Sequence, residues 1–276
     1  LAAVGGSGPL ASGTRWVSRL DMAAAAGARR GSRRFYSPPL HCLFMPQALP
    51  ALILAAGRGE RMRPLTDHTP KPLLHVRGKP LVAWHLEALA RAGVRRVVIN
   101  TAWLEAQFPA ALGDGSRWGV SIDYSFEGRD HGGALETAGG IAKAVPLLGS
   151  DAFWVVSGDV FVPGFGFEAR DAERFVRDDE RLAHLWLVPN APHHPAGDFG
   201  LDASTGLATA AAPRRTWASI GLFRAAMFER IVPGTHMKLR PLLDAALAAG
   251  RLGAQSWDGE WTDVGTVERL RLLQGT

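Results

Sequence analysis

Between Leu52 and Pro72 the chain reads LILAAGRGERMRPLTDHTPKP. An apolar run ends at Ala55 and Ala56 and breaks at Gly57 and Gly59, with four cations, Arg58, Arg61, Arg63 and Lys71, close by. A buried strand that opens into glycines offers backbone N–H groups to an anion at close range, because glycine carries no Cβ. Guanidinium and ammonium groups beside it neutralise a polyphosphate. The segment therefore reads as a cradle for a nucleoside triphosphate. Ala55, Ala56, Gly57, Arg58 and Gly59 are the candidate nucleotide contacts, with Arg61 and Lys71 as reacting-phosphate cations. Pro70 and Pro72 flank Lys71 and restrict its backbone. Two other cradles are excluded. No GxxxxGK string followed by Ser or Thr occurs, and the dinucleotide fingerprint GxGxxG fails at Met62.

A carboxylate follows a second apolar run, in Ser157-Gly158-Asp159-Val160 after AFWVVS. A hard oxygen ligand at the end of a strand suits Mg²⁺, which takes one or two protein carboxylates plus phosphate oxygens and water. The competing role is a turn aspartate. Another aspartate, Asp263, stands in Trp261-Thr262-Asp263-Val264-Gly265-Thr266 just before the last helical segment, where Thr266 is the better helix cap.

The run Gly57-x-Gly59-x-Arg61-Met62-x-Pro64-x-Thr66, followed by Pro70-Lys71-Pro72-Leu73-Leu74, closely resembles the signature of the sugar-1-phosphate nucleotidyltransferase family. The resemblance extends from about Leu52 to Leu270, through LETAGGI, SGDV, the His193-His194 run ending in GDF, MKLRPLL and WTDVGT. It assigns both Asp159 and Asp263 to a Mg²⁺ ion. It places LETAGGI against the nucleobase, so that Glu136, Gly139 and Gly140 become candidate contacts, with Asn100 as a further polar wall. Ala138 departs from the family's usual glycine, and extra residues around 130–133 precede the run. The resemblance also implies a cation for the second anion, Lys238, with Asp198 and Ser219 as weaker sugar contacts. The substrates it implies are UTP and N-acetylmuramate 1-phosphate, joined with release of pyrophosphate in recycling of cell-wall sugar. Mannose or glucose 1-phosphate with GTP or dTTP is the alternative. A non-catalytic nucleotide sensor of the same fold is an alternative of another class, disfavoured by the presence of Lys71 and both aspartates. The spacing of His193 and His194 is not that of zinc ligands.

These groups need a scaffold. Apolar strands at 50–56, 97–100, 122–126, 152–157, 184–188, 217–223 and 252–257 alternate with helical signals at 81–92, 137–144, 239–249 and 266–273. Gly93 stops the first helix and Pro146 is expected to stop the second. Such alternation predicts an α/β domain with a Rossmann-like, mostly parallel sheet and helices on both faces. Ligands then bind at the carboxyl ends of the strands, where the order reverses.

The formal net charge of +5 belongs to residues 1–44, which hold six arginines and one acid, Asp21. Residues 45–276 are neutral, which argues against a nucleic-acid partner. The arginine-rich stretch begins with Leu and has no periodicity. It reads as a disordered tail upstream of a true start at Met45, with a transit-like peptide as the competitor. The remainder is expected to form one cytoplasmic domain. The single cysteine, Cys42, excludes an intrachain disulfide, and no apolar run approaches the ~18 residues of a membrane span.

Overall fold

The computed structural model describes residues 48–275; the expectations for residues 1–44 and for Met45 as the start lie outside them. β1 (Ala51–Leu54) is followed by α1 (Leu65–His68), a ribbon of β2 (His75–Val76) and β3 (Lys79–Pro80), α2 (Leu81–Arg91) and β4 (Arg96–Thr101). α3 (Gln107–Leu112), β5 (Ser121–Phe126), α4 (Glu127–His131) and α5 (Glu136–Leu148) lead to β6 (Ala152–Ser157). Then come β7 (Val160–Phe161), α6 (Ala169–Arg177), β8 (Ala183–Val188), β9 (Gly200–Asp202), β10 (Leu207–Thr209) and β11 (Thr216–Arg224). α7 (Arg240–Ala248), β12 (Leu252–Ser256), β13 (Thr262–Asp263) and α8 (Val267–Gln274) complete the described chain.

The main sheet runs β5-β4-β1-β6-β11-β8-β12-β10-β9. Six of its seven longer strands point the same way, and only β11 is reversed between β6 and β8. The mostly parallel sheet is as the alternation requires. Its central strands β1, β4, β6 and β8 are buried on both faces. Val82, Leu86 and Leu89 of α2, Phe108 of α3 and Phe175 of α6 cover one side. Ala138, Ile141 and Ala144 of α5 and Leu243 and Ala246 of α7 cover the other. A small third core joins Met62, Val76, Leu81, Phe161, Val264 and Leu270, and so seats α8 beside the glycine loop.

The chain leaves β1 for β4 on one side and returns through β6 on the other. This reversal opens a crevice at the carboxyl end of β1. Local readings change in three places. Pro146 lies inside α5, which continues to Leu148 and ends where Gly149 turns left-handed at φ 60°. Proline here costs one backbone hydrogen bond in the last turn, which the buried face of α5 outweighs. α6 carries no earlier signal because only Ala172 and Phe175 of its nine residues are buried. The β9–β10 hairpin is equally silent, being an edge ribbon three residues deep.

Candidate active site

The crevice is a cleft of about 570 Å³ at the ends of β1, β4 and β6. Its near wall is the glycine loop. Gly57 faces open space, so its backbone is accessible to an incoming group. Gly59 has φ +68°, and an added Cβ there would stand 3.1 Å from Thr66 Cγ2. The Thr66 hydroxyl donates to Gly59 O at 2.9 Å and folds the loop back on α1. Gly158 serves the opposite side. Its N–H donates to Leu54 O at 2.8 Å, and a Cβ would lie 2.9 Å from that oxygen and 3.2 Å from Pro72. Ala55, Ala56, Gly57, Gly59, Arg61 and Lys71 all line the cleft. Arg58 does not. Its guanidinium stacks 3.5 Å from the Trp103 ring centroid and pairs with Asp67 at 3.6 Å. In this structure Arg58 braces the loop from behind and does not line the cleft.

At the cleft floor Lys71 Nζ is 2.5 Å from Asp159 Oδ2, and the Ser157 hydroxyl donates to Asp159 Oδ1 at 2.7 Å. Burial pushes the Asp159 carboxyl up, but the Lys71 charge and hydrogen bond, with Ser157, outweigh it and hold the group below the ordinary carboxylate range. Asp263 is brought alongside by the β7–β13 ribbon, where it is the register partner of Val160. Val264 N donates to Asp159 O at 2.8 Å, tying the two aspartate-bearing segments together. The Asp263 Oδ1 meets Arg269 Nη1 at 3.1 Å and His193 Nε2 at 3.0 Å. Arg269 reaches it because Thr266 caps α8 through its side chain, accepting from Arg269 N. Gly265 leaves room, since a Cβ would lie 3.1 Å from Asp263 Oδ2.

Among the described residues no cluster of three or more His, Cys, Asp or Glu could enclose a metal alone. Asp159, in the turn between β6 and β7, and Asp263, in β13, fit an ion that completes its shell with phosphate oxygens and water, as Mg²⁺ does.

The third wall is the start of α5. Glu136 and Thr137 line the cleft, and Glu136 holds φ +62°, a conformation rare outside glycine. Gly139 and Gly140 stand behind this wall and are buried. The Gly139 N–H donates to Met237 O at 3.1 Å, and a Cβ at Gly139 would run into Thr235 O. A Cβ at Gly140 would meet Glu127 Oε1 at 2.5 Å and Asn100 Nδ2 at 2.7 Å. Both glycines are therefore packing glycines, not a platform for a flat base. Asn100 does reach the cleft, yet its side chain is already engaged at both ends. Its Oδ1 accepts from Ala55 N at 2.8 Å and its Nδ2 donates to Glu127 at 2.6 Å.

The remaining candidates lie outside this cleft. Lys238 is exposed and has no ion-pair or hydrogen-bond partner among the described residues. Ser219 has φ +59° in the irregular stretch of β11, one residue beyond the pairing of Ile220 with Val156. Asp198 Oδ2 accepts from Trp217 N at 2.9 Å, and its Oδ1 is 3.3 Å from His194 and 3.9 Å from Arg240. It braces the loop to β11.

A family description, nucleotidyl transferase, matches residues 50–274. The chain belongs to the nucleotidyl transferase family. An N-acetylmuramate α-1-phosphate uridylyltransferase of Neisseria meningitidis serogroup B is 50% identical over 226 residues, covering 81% of this chain and 96% of that protein. A mannose-1-phosphate guanylyltransferase of Mycobacterium tuberculosis is 40% identical over 132 residues, 48% of this chain and 36% of that protein. The crystal structure of a putative glucose-1-phosphate thymidylyltransferase from Bacillus anthracis superposes with TM-score 0.69 at 22% identity, over 83% of this chain and 94% of that one, and shares the fold. Sugar-1-phosphate nucleotidyl transfer is accordingly the activity class of this nucleotidyl transferase. No helix among its described residues is long and apolar enough to cross a membrane.

Three residues of this site carried little signal in the sequence. Ser157 stands two positions before Asp159 and could have been read with it. Arg269 lies three positions after the cap residue Thr266, where only the helix turn shows that it faces Asp263. Glu127 follows an ordinary strand end, and nothing local marks it.

Proposed function

We propose that this nucleotidyl transferase joins UTP to N-acetylmuramate α-1-phosphate, forming the uridine diphosphate sugar and releasing pyrophosphate. The observation that carries the reading is the glycine loop facing the Lys71–Asp159 pair, with Asp263 on the adjoining ribbon. The choice of base and sugar is supported by the 50% identity to the meningococcal uridylyltransferase.

An oxygen of the sugar phosphate attacks the α-phosphorus, and the bond from that phosphorus to the bridging oxygen of the β-phosphate breaks. No protein nucleophile is required, so positioning and charge neutralisation carry the rate. The backbone around Ala56, Gly57 and Gly59 offers N–H groups to the triphosphate beside Ala55, whose N–H is held by Asn100, and the exposed Arg61 adds a cation. Lys71 is held at the floor, where its ammonium faces charge building on the phosphates. Asp159 and Asp263 would hold Mg²⁺, which when bound neutralises phosphate oxygens. Lys238, without a partner among the described residues, would draw in the sugar phosphate, with Ser219 near the sugar. Glu136 and Thr137 form the base wall in place of Gly139 and Gly140.

We assign residues 45–276 to a single cytoplasmic catalytic domain and treat residues 1–44 as dispensable. A chain beginning at Met45 should keep full turnover and melting temperature.

The deciding experiment is pyrophosphate release for UTP, dTTP, CTP and GTP, each with N-acetylmuramate, mannose and glucose 1-phosphates. UTP with N-acetylmuramate 1-phosphate should give the highest kcat/KM. dTTP differs from UTP by an added C5 methyl and a missing 2′-hydroxyl, and discrimination against it should be about ten- to two-hundredfold. A highest value for GTP with mannose 1-phosphate would overturn the uridylyl assignment.

A further inference from the structure

The carboxyl group of Glu127 is wholly inaccessible, at 0% exposure, and no cation among the described residues is bonded to it. The nearby Lys143 is spent on Asp130 at 2.6 Å. Burial pushes the Glu127 carboxyl above its ordinary range, against the pull of its hydrogen bonds from Leu135 and Asn100. A group so costly to bury needs a return. Both of its oxygens accept from N–H donors. Asn100 Nδ2 reaches Oε1 at 2.6 Å and Leu135 N reaches Oε2 at 2.7 Å. Asn100 in turn accepts from Ala55 N at 2.8 Å. The chain Ala55–Asn100–Glu127–Leu135 thus spans from the start of the glycine loop to the base of α5. Gly140 exists to admit it, since any Cβ there would strike Glu127 and Asn100.

We propose that Glu127 is a positioning residue for the nucleotide half of the cleft, coupling the phosphate loop at Ala55 to the base wall at Leu135 through Asn100. The proposal rests on the nucleotidyl-transfer reading for its consequence and on the bonds above for its geometry. Two donors converge on Glu127, so only a side chain with two acceptors satisfies both. Glutamine offers one acceptor and one donor. It leaves an N–H facing an N–H, and the two walls lose their fixed spacing. The exchanged pair N100D/E127Q restores complementarity. Asp at 100 would accept from Ala55 N and from the new amide, and the glutamine oxygen would accept from Leu135 N.

The test compares wild type, E127Q, N100D and N100D/E127Q. Amide hydrogen exchange of the ligand-free protein should quicken in E127Q over both 51–57 and 132–138. The KM for UTP should rise about tenfold or more, as expected for an unpaired buried donor. The KM for the sugar phosphate should move by less than about twofold, and the double variant should return both readouts to within about threefold of wild type. Unchanged exchange over 51–57, a parallel rise in both KM values, or a double variant no better than the singles combined would sink the proposal. If E127Q does not fold, N100D/E127Q should fold and bind UTP, and its failure to do so counts against the coupling. If the wild type releases no pyrophosphate from any nucleotide, the functional reading falls, and the exchange measurements still decide whether Glu127 couples the walls.

Discussion

Lys71 Nζ and Asp159 Oδ2 stand 2.5 Å apart at the floor of the cleft, although 88 positions separate them in the chain. Lys71 is 8% exposed, so its ammonium depends on this carboxylate. Judged from like charges alone, Asp159→Asn should leave the fold untouched by relieving repulsion from Asp263. The ion pair reverses that expectation. Asp159→Asn strands a buried cation and should cost about 1–2 kcal/mol of stability, discounted because the carboxylate is partly solvated. Lys71→Met should cost turnover by about a hundredfold or more, as for loss of a charge aimed at the reacting phosphates. Thermal unfolding and pyrophosphate release of both variants check this. A stabilised Asp159→Asn would show that the pair is not formed.

Asp263 should behave differently from Asp159 in stability and alike in catalysis. Asp263→Asn keeps an acceptor for Arg269 and His193 and should melt near wild type. Turnover should fall by about a hundredfold or more, as several kcal/mol of charge stabilisation disappear with a misplaced ion. Removing divalent cations with EDTA should abolish wild-type turnover and adding Mg²⁺ should restore it. Activity that survives chelation would remove both aspartates from a metal role.

Gly158→Ala should be more damaging than its size suggests. The new methyl would lie 2.9 Å from Leu54 O and 3.2 Å from Pro72, both part of the cleft frame. Overpacking of this kind costs about 1–3 kcal/mol. Because the displaced atoms adjoin Lys71 and the glycine loop, the KM for UTP should rise as well. Gly57→Ala, which meets nothing within 4 Å, should leave the melting temperature unchanged and weaken UTP binding only. Equal melting temperatures for the two variants would contradict this contrast.

His85 sets part of the acid sensitivity. It is buried on α2, and burial lowers its pKa from 6.5 to about 4, against smaller opposing effects of the Val160 backbone and the Asp159 charge. The unfolded chain binds a proton below pH 6.5 while the native state refuses it until about 4. Stability is therefore intact above pH 6.5 and falls as pH drops through that window, by about 3 kcal/mol in total. His85→Gln should flatten the urea-unfolding free energy between pH 6.5 and 4. An unchanged slope would mean that His85 is protonated in the native state.

Much of this protein was legible without its fold. The glycine loop, the SGDV turn and the Thr266 cap are local devices. Their chemistry depends on backbone freedom and on side chains a few positions apart, so composition and spacing suffice. The alternation of strands and helices announced a mostly parallel sheet because strands buried on both faces must be apolar throughout. Strand order was another matter. Only the placement of β1 between β4 and β6 sets Lys71 on Asp159 and Asn100 on Ala55. Arg58 stays off the cleft lining because Trp103 and Asp67 hold its guanidinium. Gly139 and Gly140 prove to be packing residues because Thr235, Asn100 and Glu127 press against α5 from other parts of the chain. Each of these outcomes depends on which distant side chain arrives first within hydrogen-bond or van der Waals reach, and a linear sequence carries no direct record of that distance.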